Sequence, residues 1–159
     1  MIRITDQYFW SVVFGVFFLV LITMGAIILD SEARLPLAEY ALFDFVLVTL
    51  ATWRLTRLFV YDEITRFVRE QFFDVVKAGK KHELARPKAG PRRVLAELIS
   101  CPWCVSVWMG ACVIFVYSLT AYAYYPVLIL AISAAASWLQ LTSNLIGNHA
   151  ERVRREMAD

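Results

Sequence analysis

The run from Tyr8 to Leu29 constrains this chain more than any other feature, because it contains no charged side chain. A helix needs about 20 apolar residues to cross roughly 30 Å of hydrocarbon, and this run is long enough. A secretory signal peptide is the alternative, but its apolar core is shorter, about 7 to 15 residues, and its start is more basic than MIRITDQ. We therefore expect an uncleaved membrane anchor.

Apolar residues make up 60% of the chain and its mean hydropathy is positive, which is too much apolar surface for one soluble core. Three more apolar runs follow the anchor, and Pro126 separates the last two as in a helical hairpin. The spans that they predict cover residues 41–61, 103–125 and 127–147. The expected fold is therefore all-α and integral to the membrane, with about four transmembrane helices.

Lysine and arginine are unevenly distributed over the loops between these spans. The loop 62–100 holds nine of them, the C-terminal tail holds three, and the N-terminal residues before the first span hold one. The segment after the first span holds only Arg34. Because short cytoplasmic loops carry the excess of basic residues, we expect this loop and both termini in the cytoplasm. The expected organisation is an anchor and outer loop at 1–40, a membrane domain at 41–147 and a basic tail at 148–159.

The long loop contains a segment, residues 62–77, in which apolar side chains recur at helical spacing. Asp62 and Glu63 at its start and Lys77 at its end complement a helix dipole. We expect an amphipathic cytoplasmic helix that lies in the membrane interface with its basic side towards lipid head groups, and a helix packed on the protein core is the alternative. Residues 78–93, with two Gly and two Pro, predict a flexible basic linker.

Two arginines of the second span, Arg54 and Arg57, lie within about two turns of its cytoplasmic end. One interpretation is that both side chains extend to anionic lipid head groups. The other interpretation is that they pair with Asp62, Glu63 or Glu97 and fix how the loop folds back on the membrane. The sequence leaves both open.

Cys101 and Cys104 enclose Pro102 and Trp103 in the sequence CPWC, where the loop meets the third span. Pro102 suits the first position of a helix, with Cys101 as its cap, and the helix dipole favours a thiolate there. A structural disulfide is disfavoured in the cytoplasm, and the alternating strands and helices of thioredoxin-like folds are missing from the pattern. We expect a structural motif whose cysteines and Trp108 pack against a neighbouring helix, with thiol redox chemistry as the alternative.

A zinc site needs four ligands, whereas the chain offers three cysteines, with Cys112 inside a span, besides His82 and His149. A mixed site of Cys101, Cys104 and His149 is the one arrangement that we consider. A Ser-His-Asp set, a phosphate loop and paired membrane carboxylates cannot be assembled, so we expect neither a cofactor nor enzymatic activity. Nucleic-acid binding is not expected either, because no stacking aromatics are interleaved with the lysines of the loop.

Small residues four apart let membrane helices approach closely, and two such pairs occur in the last two spans. They are Ser106 and Gly110, and Ser133 and Ser137. Gln140 and Asn144 continue the second pair into a polar stripe, which faces protein or water rather than lipid. We expect helix association within a bundle or a homo-oligomer, and a water-filled pore is the alternative.

Two stretches of the sequence occur together in a known family. A WRLTRL stretch with a trailing acidic residue precedes a CPxCxSxW stretch, and the matching positions are Trp53, Arg54, Thr56, Arg57, Asp62, Cys101, Pro102, Cys104, Ser106 and Trp108. Over residues 41–147 the chain thus resembles the domain of unknown function 1360 family of small bacterial and phage membrane proteins. The resemblance implies the inner membrane of a bacterium as the location. It implies no particular activity, although some members in spore-forming bacteria are labelled sporulation proteins.

Three functions stay open on these observations. The first is a non-catalytic membrane protein that assembles through its hairpin and presents a basic cytoplasmic face to anionic lipid or to a membrane protein partner. The second is a holin-like phage lysis or permeability protein, a role that suits a small multi-span chain with a polar stripe and a basic tail. The third is a membrane thiol redox or metal-binding protein that uses the CPWC sequence.

Overall fold

The computed structural model describes residues 2–33, 35, 37–78 and 81–157. Helices dominate this part of the chain, in the order α1 (Ile2–Glu32), α2 (Leu42–Val60), α3 (Arg66–Glu70), α4 (Pro91–Ser100), α5 (Pro102–Leu119) and α6 (Tyr124–Glu156). Short 3-10 turns precede α2, α3 and α6 at Leu37–Glu39, Glu63–Thr65 and Ala121–Ala123. Two strands between α3 and α4, β1 (Asp74–Ala78) and β2 (Lys81–Ala85), complete the described elements.

Three of the described helical segments are long and apolar enough to cross a membrane, and they are Tyr8–Glu32, Pro102–Leu119 and Ala121–Glu156. With 19 residues α2 has the length of a span, but it carries Asp44, Arg54 and Arg57. The protein is therefore a mainly helical membrane protein in which three of the four predicted spans recur as strongly apolar helices. The second predicted span recurs as a helix of the expected length with polar interruptions.

The helix α2, which carries three charged residues, lies at the centre of the bundle. It packs against both α5 and α6, whereas α5 and α6 make few contacts with each other. The core consists of Leu47, Val48 and Ala51 of α2, Val113 and Tyr117 of α5, and Val127 and Ala131 of α6. The helices α5 and α6 follow one another across a short turn, as in the predicted helical hairpin, but they hardly touch because α2 lies between them.

Small residues allow the close approach of helices to α2. A Cβ atom added at Gly110 of α5 would lie 3.5 Å from the Thr52 methyl group of α2. Ala51 of α2 and Ala134 of α6 are fully buried. Gly110 of α5 and the segment SAAAS of α6, residues 133–137, therefore contribute to packing within a single chain.

The first helix contacts the rest of the bundle mainly through aromatic side chains. The Trp108 ring of α5 lies 4.4 Å from the Phe18 ring and 6.4 Å from the Phe17 ring, measured between centroids. An apolar groove of about 750 Å³ lies between α1 and α5, lined in part by Gly25 and Phe115. Trp108 thus links α1 to α5 through two ring contacts.

The amphipathic helix predicted over residues 62–77 is wrong beyond Glu70. The helix α3 ends there, and β1 follows, paired antiparallel with β2 so that Asp74 lies opposite Ala85. Val75 and Val76 are β-branched and favour an extended strand, so the helical pattern does not continue through them. The flexible linker predicted over residues 78–93 is also wrong, because β2 and the start of α4 occupy much of that segment.

Two boundaries near the hairpin and the tail also differ from prediction. The third span ends at Leu119 instead of residue 125. Pro126 lies in the first turn of α6, where backbone N–H groups form no hydrogen bond within the helix, so the missing N–H of proline costs none. The tail predicted at 148–159 is helical to Glu156, as a continuation of α6. Arg34 and Lys80 lie outside the described residues, as do the side chains of Arg3, Lys77, Lys81 and His82.

Candidate functional site

Arg54, two turns before the end of α2, joins three parts of the chain. Its Nη1 atom lies 2.9 Å from Oδ2 of Asp62 in the turn after α2, and its Nε donates to Oγ of Ser133 on α6 at 2.9 Å. The side chains of Arg54 and Asp62 are only 20% and 28% exposed. Of the acidic partners considered from the sequence, the structure pairs Arg54 with Asp62, and this pair fixes the turn against α6.

Hydrogen bonds to free carbonyl groups secure the end of α2. The Thr65 hydroxyl donates to the Leu58 carbonyl, and Nη1 of Arg69 donates to the Phe59 carbonyl at 3.1 Å. The last four carbonyls of a helix have no partner within the helix, so these bonds replace the missing ones. They also hold α3 against the end of α2.

Arg57 makes a different set of contacts from Arg54. Its guanidinium carbon lies 5.4 Å from the ring centroids of both Trp53 and Tyr61, one turn before and one turn after it. Such cation–π contacts hold the planar group in place. Among the described residues no carboxylate lies within ion-pair distance of Arg57, so its N–H donors are available to an external anion.

A cavity of about 360 Å³ adjoins Tyr61 and is lined by Arg66, Arg69 and Ser100 among others. Arg66 pairs with Glu63 at 3.2 Å and Glu70 at 2.6 Å, and these hydrogen bonds raise the pKa of Arg66. The charge of Arg66 is therefore balanced by carboxylates. Arg69 donates to the Phe59 carbonyl and, among the described residues, forms no ion pair with a carboxylate.

Cys101 ends α4 and caps α5, with Pro102 at the first helical position. Its Sγ atom accepts a hydrogen bond from the Cys104 thiol at 2.6 Å and another from the Cys104 backbone N–H at 3.3 Å. These two bonds, the thiol bond more than the backbone bond, lower the pKa of Cys101. Cys104 is exposed, and Trp103 between the two cysteines is 83% exposed. The predicted packing of Cys104 against a neighbouring helix is therefore wrong.

The described part of the chain holds no group of three His, Cys, Asp or Glu side chains placed to bind a metal ion. His149 lies on the exposed C-terminal part of α6, and Cys112 lies about two turns beyond Cys104 on α5, at the apolar groove. The structure therefore does not bring Cys101, Cys104 and His149 together.

Two tyrosines form a polar cluster at the opposite end of the bundle. Tyr117 donates to Oδ1 of Asp44 at 2.6 Å, and Tyr40 shares a hydrogen bond of 2.6 Å with Ser118. Oδ2 of Asp44 accepts the Ala41 N–H at 2.9 Å, which caps α2, and burial raises the pKa of Tyr40. Sequence reasoning missed this cluster, although tyrosine is typical of the membrane interface.

The polar stripe of α6 runs from the interior of the protein to its surface. Ser133 accepts the bond from Arg54, Ser137 is half-buried and donates to the Ser133 carbonyl at 2.8 Å, and Gln140 and Asn144 are exposed. Within the described residues of one chain, Gln140 and Asn144 point outward and enclose no channel. On α5 the Ser106 hydroxyl bonds to the Trp103 carbonyl of its own helix at 2.7 Å.

Comparison with known proteins supports the resemblance. The curated relatives of Bacillus subtilis (strain 168) include UPF0713 protein YngL, 33% identical over 64 residues, which are 40% of this chain and 49% of YngL. Sporulation protein YjcA is 31% identical over 102 residues, which are 60% of this chain and 86% of YjcA.

The chain thus spans about half the length of YngL and most of YjcA. No solved structure gives a significant match. The family model described as protein of unknown function (DUF1360) matches residues 47–143, which begin within α2 and end within α6. This range includes Arg54 with its partner Asp62, Arg57, and the CPWC cysteines. Because this match covers more than half of the chain and agrees with the predicted range 41–147, the chain belongs to the DUF1360 family.

Proposed function

We propose that this protein is a non-catalytic, multi-span protein of a bacterial inner membrane that binds the phosphate head groups of anionic lipids at the cytoplasmic end of α2. Arg57 is the single observation that carries this proposal. Its charge is held between two aromatic rings, and no carboxylate in the described part of the chain neutralises it. Aromatic and arginine side chains are typical anchors of a span at the membrane interface.

Counting α2 as a fourth span requires that its three charged residues be accommodated. Asp44 accepts hydrogen bonds at one end, Arg54 pairs with Asp62, and Arg57 lies within one turn of the other end. At 1.5 Å per residue, α2 is about 28 Å long, close to the thickness of the hydrocarbon layer. The excess of basic residues in loop 62–100, nine in all, supports a cytoplasmic position for that loop and for both termini.

A basic side chain near an anionic membrane surface contributes about 1 kcal/mol, which corresponds to roughly a fivefold change in affinity. Arg57 is suited to contribute at least this much, because the rings of Trp53 and Tyr61 already restrict its side chain. Arg69 adds a second positive charge beside the same tyrosine. The proposed ligand is therefore a lipid with an anionic phosphate head group, such as phosphatidylglycerol.

The experiment measures phosphatidylglycerol bound to the full-length protein by native mass spectrometry in detergent, with phosphatidylcholine as the neutral lipid. Arg57→Gln should lower the apparent affinity for phosphatidylglycerol about fivefold, and Trp53→Leu should lower it less. Arg155→Gln is the matched control, because Arg155 is exposed in the tail and paired with Glu151. Equal losses for Arg57→Gln and Arg155→Gln would contradict a specific site.

The exposed end of the polar stripe supports a second part of the proposal, assembly of the protein as a homo-oligomer through α6. Gln140 and Asn144 are exposed on an apolar helix, and polar amides facing lipid are unfavourable unless another chain hydrogen-bonds to them. Asn144→Leu should lower the cross-linked oligomer fraction in membranes, whereas Ser143→Leu, beside the stripe, should have little effect. An unchanged fraction for Asn144→Leu would count against this interface.

A further inference from the structure

The two cysteines of the CPWC sequence are arranged as a pair that the proposed lipid site does not use. The Sγ atoms of Cys101 and Cys104 lie 2.6 Å apart, and both thiols are free. A disulfide bond is about 2.05 Å long, so the two sulfurs are within roughly half an ångström of bonding distance. Serine at these positions would cap α5 equally well, but only two sulfurs allow this chemistry.

The pair lies at the protein surface, at the end of a span. Cys104 is exposed, Cys101 is half-buried, and the neighbouring Trp103 is 83% exposed. Cys101 precedes the first residue of α5, and Cys104 lies in its first turn, next to the polar helix α4. With loop 62–100 in the cytoplasm, as proposed above, this end of α5 meets water, so a small water-soluble reagent can reach both sulfurs. Cys112 lies farther along α5, in the apolar groove.

The environment of Cys101 favours its thiolate form, which is the nucleophile in thiol–disulfide exchange. The backbone N–H of Cys104 and the Cys104 thiol both donate to the Cys101 sulfur. The N-terminal end of α5 adds the positive end of a helix dipole. These contacts, with the pKa of Cys101 lowered, identify Cys101 as the attacking sulfur and Cys104 as the resolving one.

We propose that Cys101 and Cys104 form a dithiol site that reduces low-molecular-weight disulfides and is itself converted to a disulfide. The Cys101 thiolate attacks one sulfur of the small disulfide, forming a mixed disulfide and releasing one small thiolate. Cys104 then gives up its proton and attacks the Cys101 sulfur, which expels the second small thiolate and forms the Cys101–Cys104 bond. In total, two electrons and two protons pass from the protein to the disulfide, which becomes two thiols.

The experiment uses the full-length protein with Cys112→Ser, because the chain then holds only the two thiols of interest. Glutathione disulfide is the probe, and intact mass spectrometry is the readout. The expected product has lost two hydrogens and carries no glutathione, with two glutathione thiols released per chain. A product that carries glutathione on both cysteines without an internal disulfide would overturn the proposal.

Two single variants separate the roles of the sulfurs. With Cys104→Ser the reaction should stop at one glutathione bound to Cys101, whereas Cys101→Ser should bind glutathione several-fold more slowly. Equal rates for the two variants would refute the assignment of Cys101 as the nucleophile. Helix content by circular dichroism should be the same for both, because serine retains the cap at position 101. The result is independent of lipid binding at Arg57, so either proposal can fail alone.

Discussion

The contacts of Arg54 lead to a stability prediction with a defined magnitude. Arg54→Met keeps much of the apolar stem but removes the ion pair to Asp62 and the hydrogen bond to Ser133. An exposed ion pair contributes about 0–1 kcal/mol, whereas removing one partner of a buried pair costs about 3–5 kcal/mol. With side chains 20% and 28% exposed, we expect a loss of about 2–3 kcal/mol, between those two limits.

Thermal unfolding of the full-length protein in detergent, followed by circular dichroism, measures this loss. A change of 1 kcal/mol shifts Tm by about 2–4 °C in a chain of this size, so Arg54→Met should lower Tm by about 5–10 °C. Arg66→Met is the matched control, because Arg66 also pairs with two groups but is 57% exposed. Its Tm should stay close to that of the unmodified protein.

A double-mutant cycle tests whether the loss comes from the Asp62 pair. Asp62→Asn alone and Arg54→Met alone should each be destabilising. The loss of unfolding free energy in the double variant should be smaller than the sum of the two single losses by about 1–2 kcal/mol. Strict additivity, or an unchanged Tm for Arg54→Met, would refute the view that Arg54 joins α2 to the following turn.

Four further predictions concern topology, packing and permeability. A cysteine-accessibility scan should find position 85 in the cytoplasm and position 34 outside, and the reverse result would overturn the orientation. Gly110→Leu should separate α5 from α2 and lower Tm, whereas Gly110→Ala should be tolerated, since its Cβ would lie at an ordinary 3.5 Å from Thr52. Trp108→Ala should reduce cross-linking between α1 and α5, because it removes the ring contacts with α1, and unchanged cross-linking would contradict that link. Strong expression should leave the membrane potential intact; its collapse, with relief by Asn144→Leu, would favour the holin-like alternative.

The parts of the fold that depend on local pattern were predictable from the sequence. The uncharged run from Tyr8 to Leu29 lies within α1, and Pro102 begins α5 because a proline loses no hydrogen bond at that position. The β-hairpin formed by β1 and β2 was missed because the apolar residues of β1, such as Val75 and Val76, also fit helical spacing. The sequence Gly79–Lys80 was an available signal, since a glycine-first pair is typical of two-residue hairpin connections.

The candidate site was predictable only in part. Arg54 and Asp62 are near in sequence, and their pairing was one of the stated possibilities. The aromatic residues four positions before and after Arg57 follow from helical spacing and were overlooked. In contrast, the bond from Arg54 to Ser133 joins residues 79 positions apart. It depends on α2 lying between α5 and α6, an order that hydropathy and spacing do not encode.

The central position of α2 has a consequence for biosynthesis. Its partners α5 and α6 follow it in the chain by more than 40 residues, so α2 leaves the ribosome before any helix that shields its charged residues exists. Asp44 and Arg54 gain their hydrogen bonds with Tyr117 of α5 and Ser133 of α6 only once the C-terminal half has been translated. With α2 as the proposed fourth span, we therefore expect the insertion machinery to retain α2, or to leave it at the membrane surface, until then. Chains truncated after α4 are then expected to be substrates for quality-control proteases, even though they contain the most apolar helix of the protein.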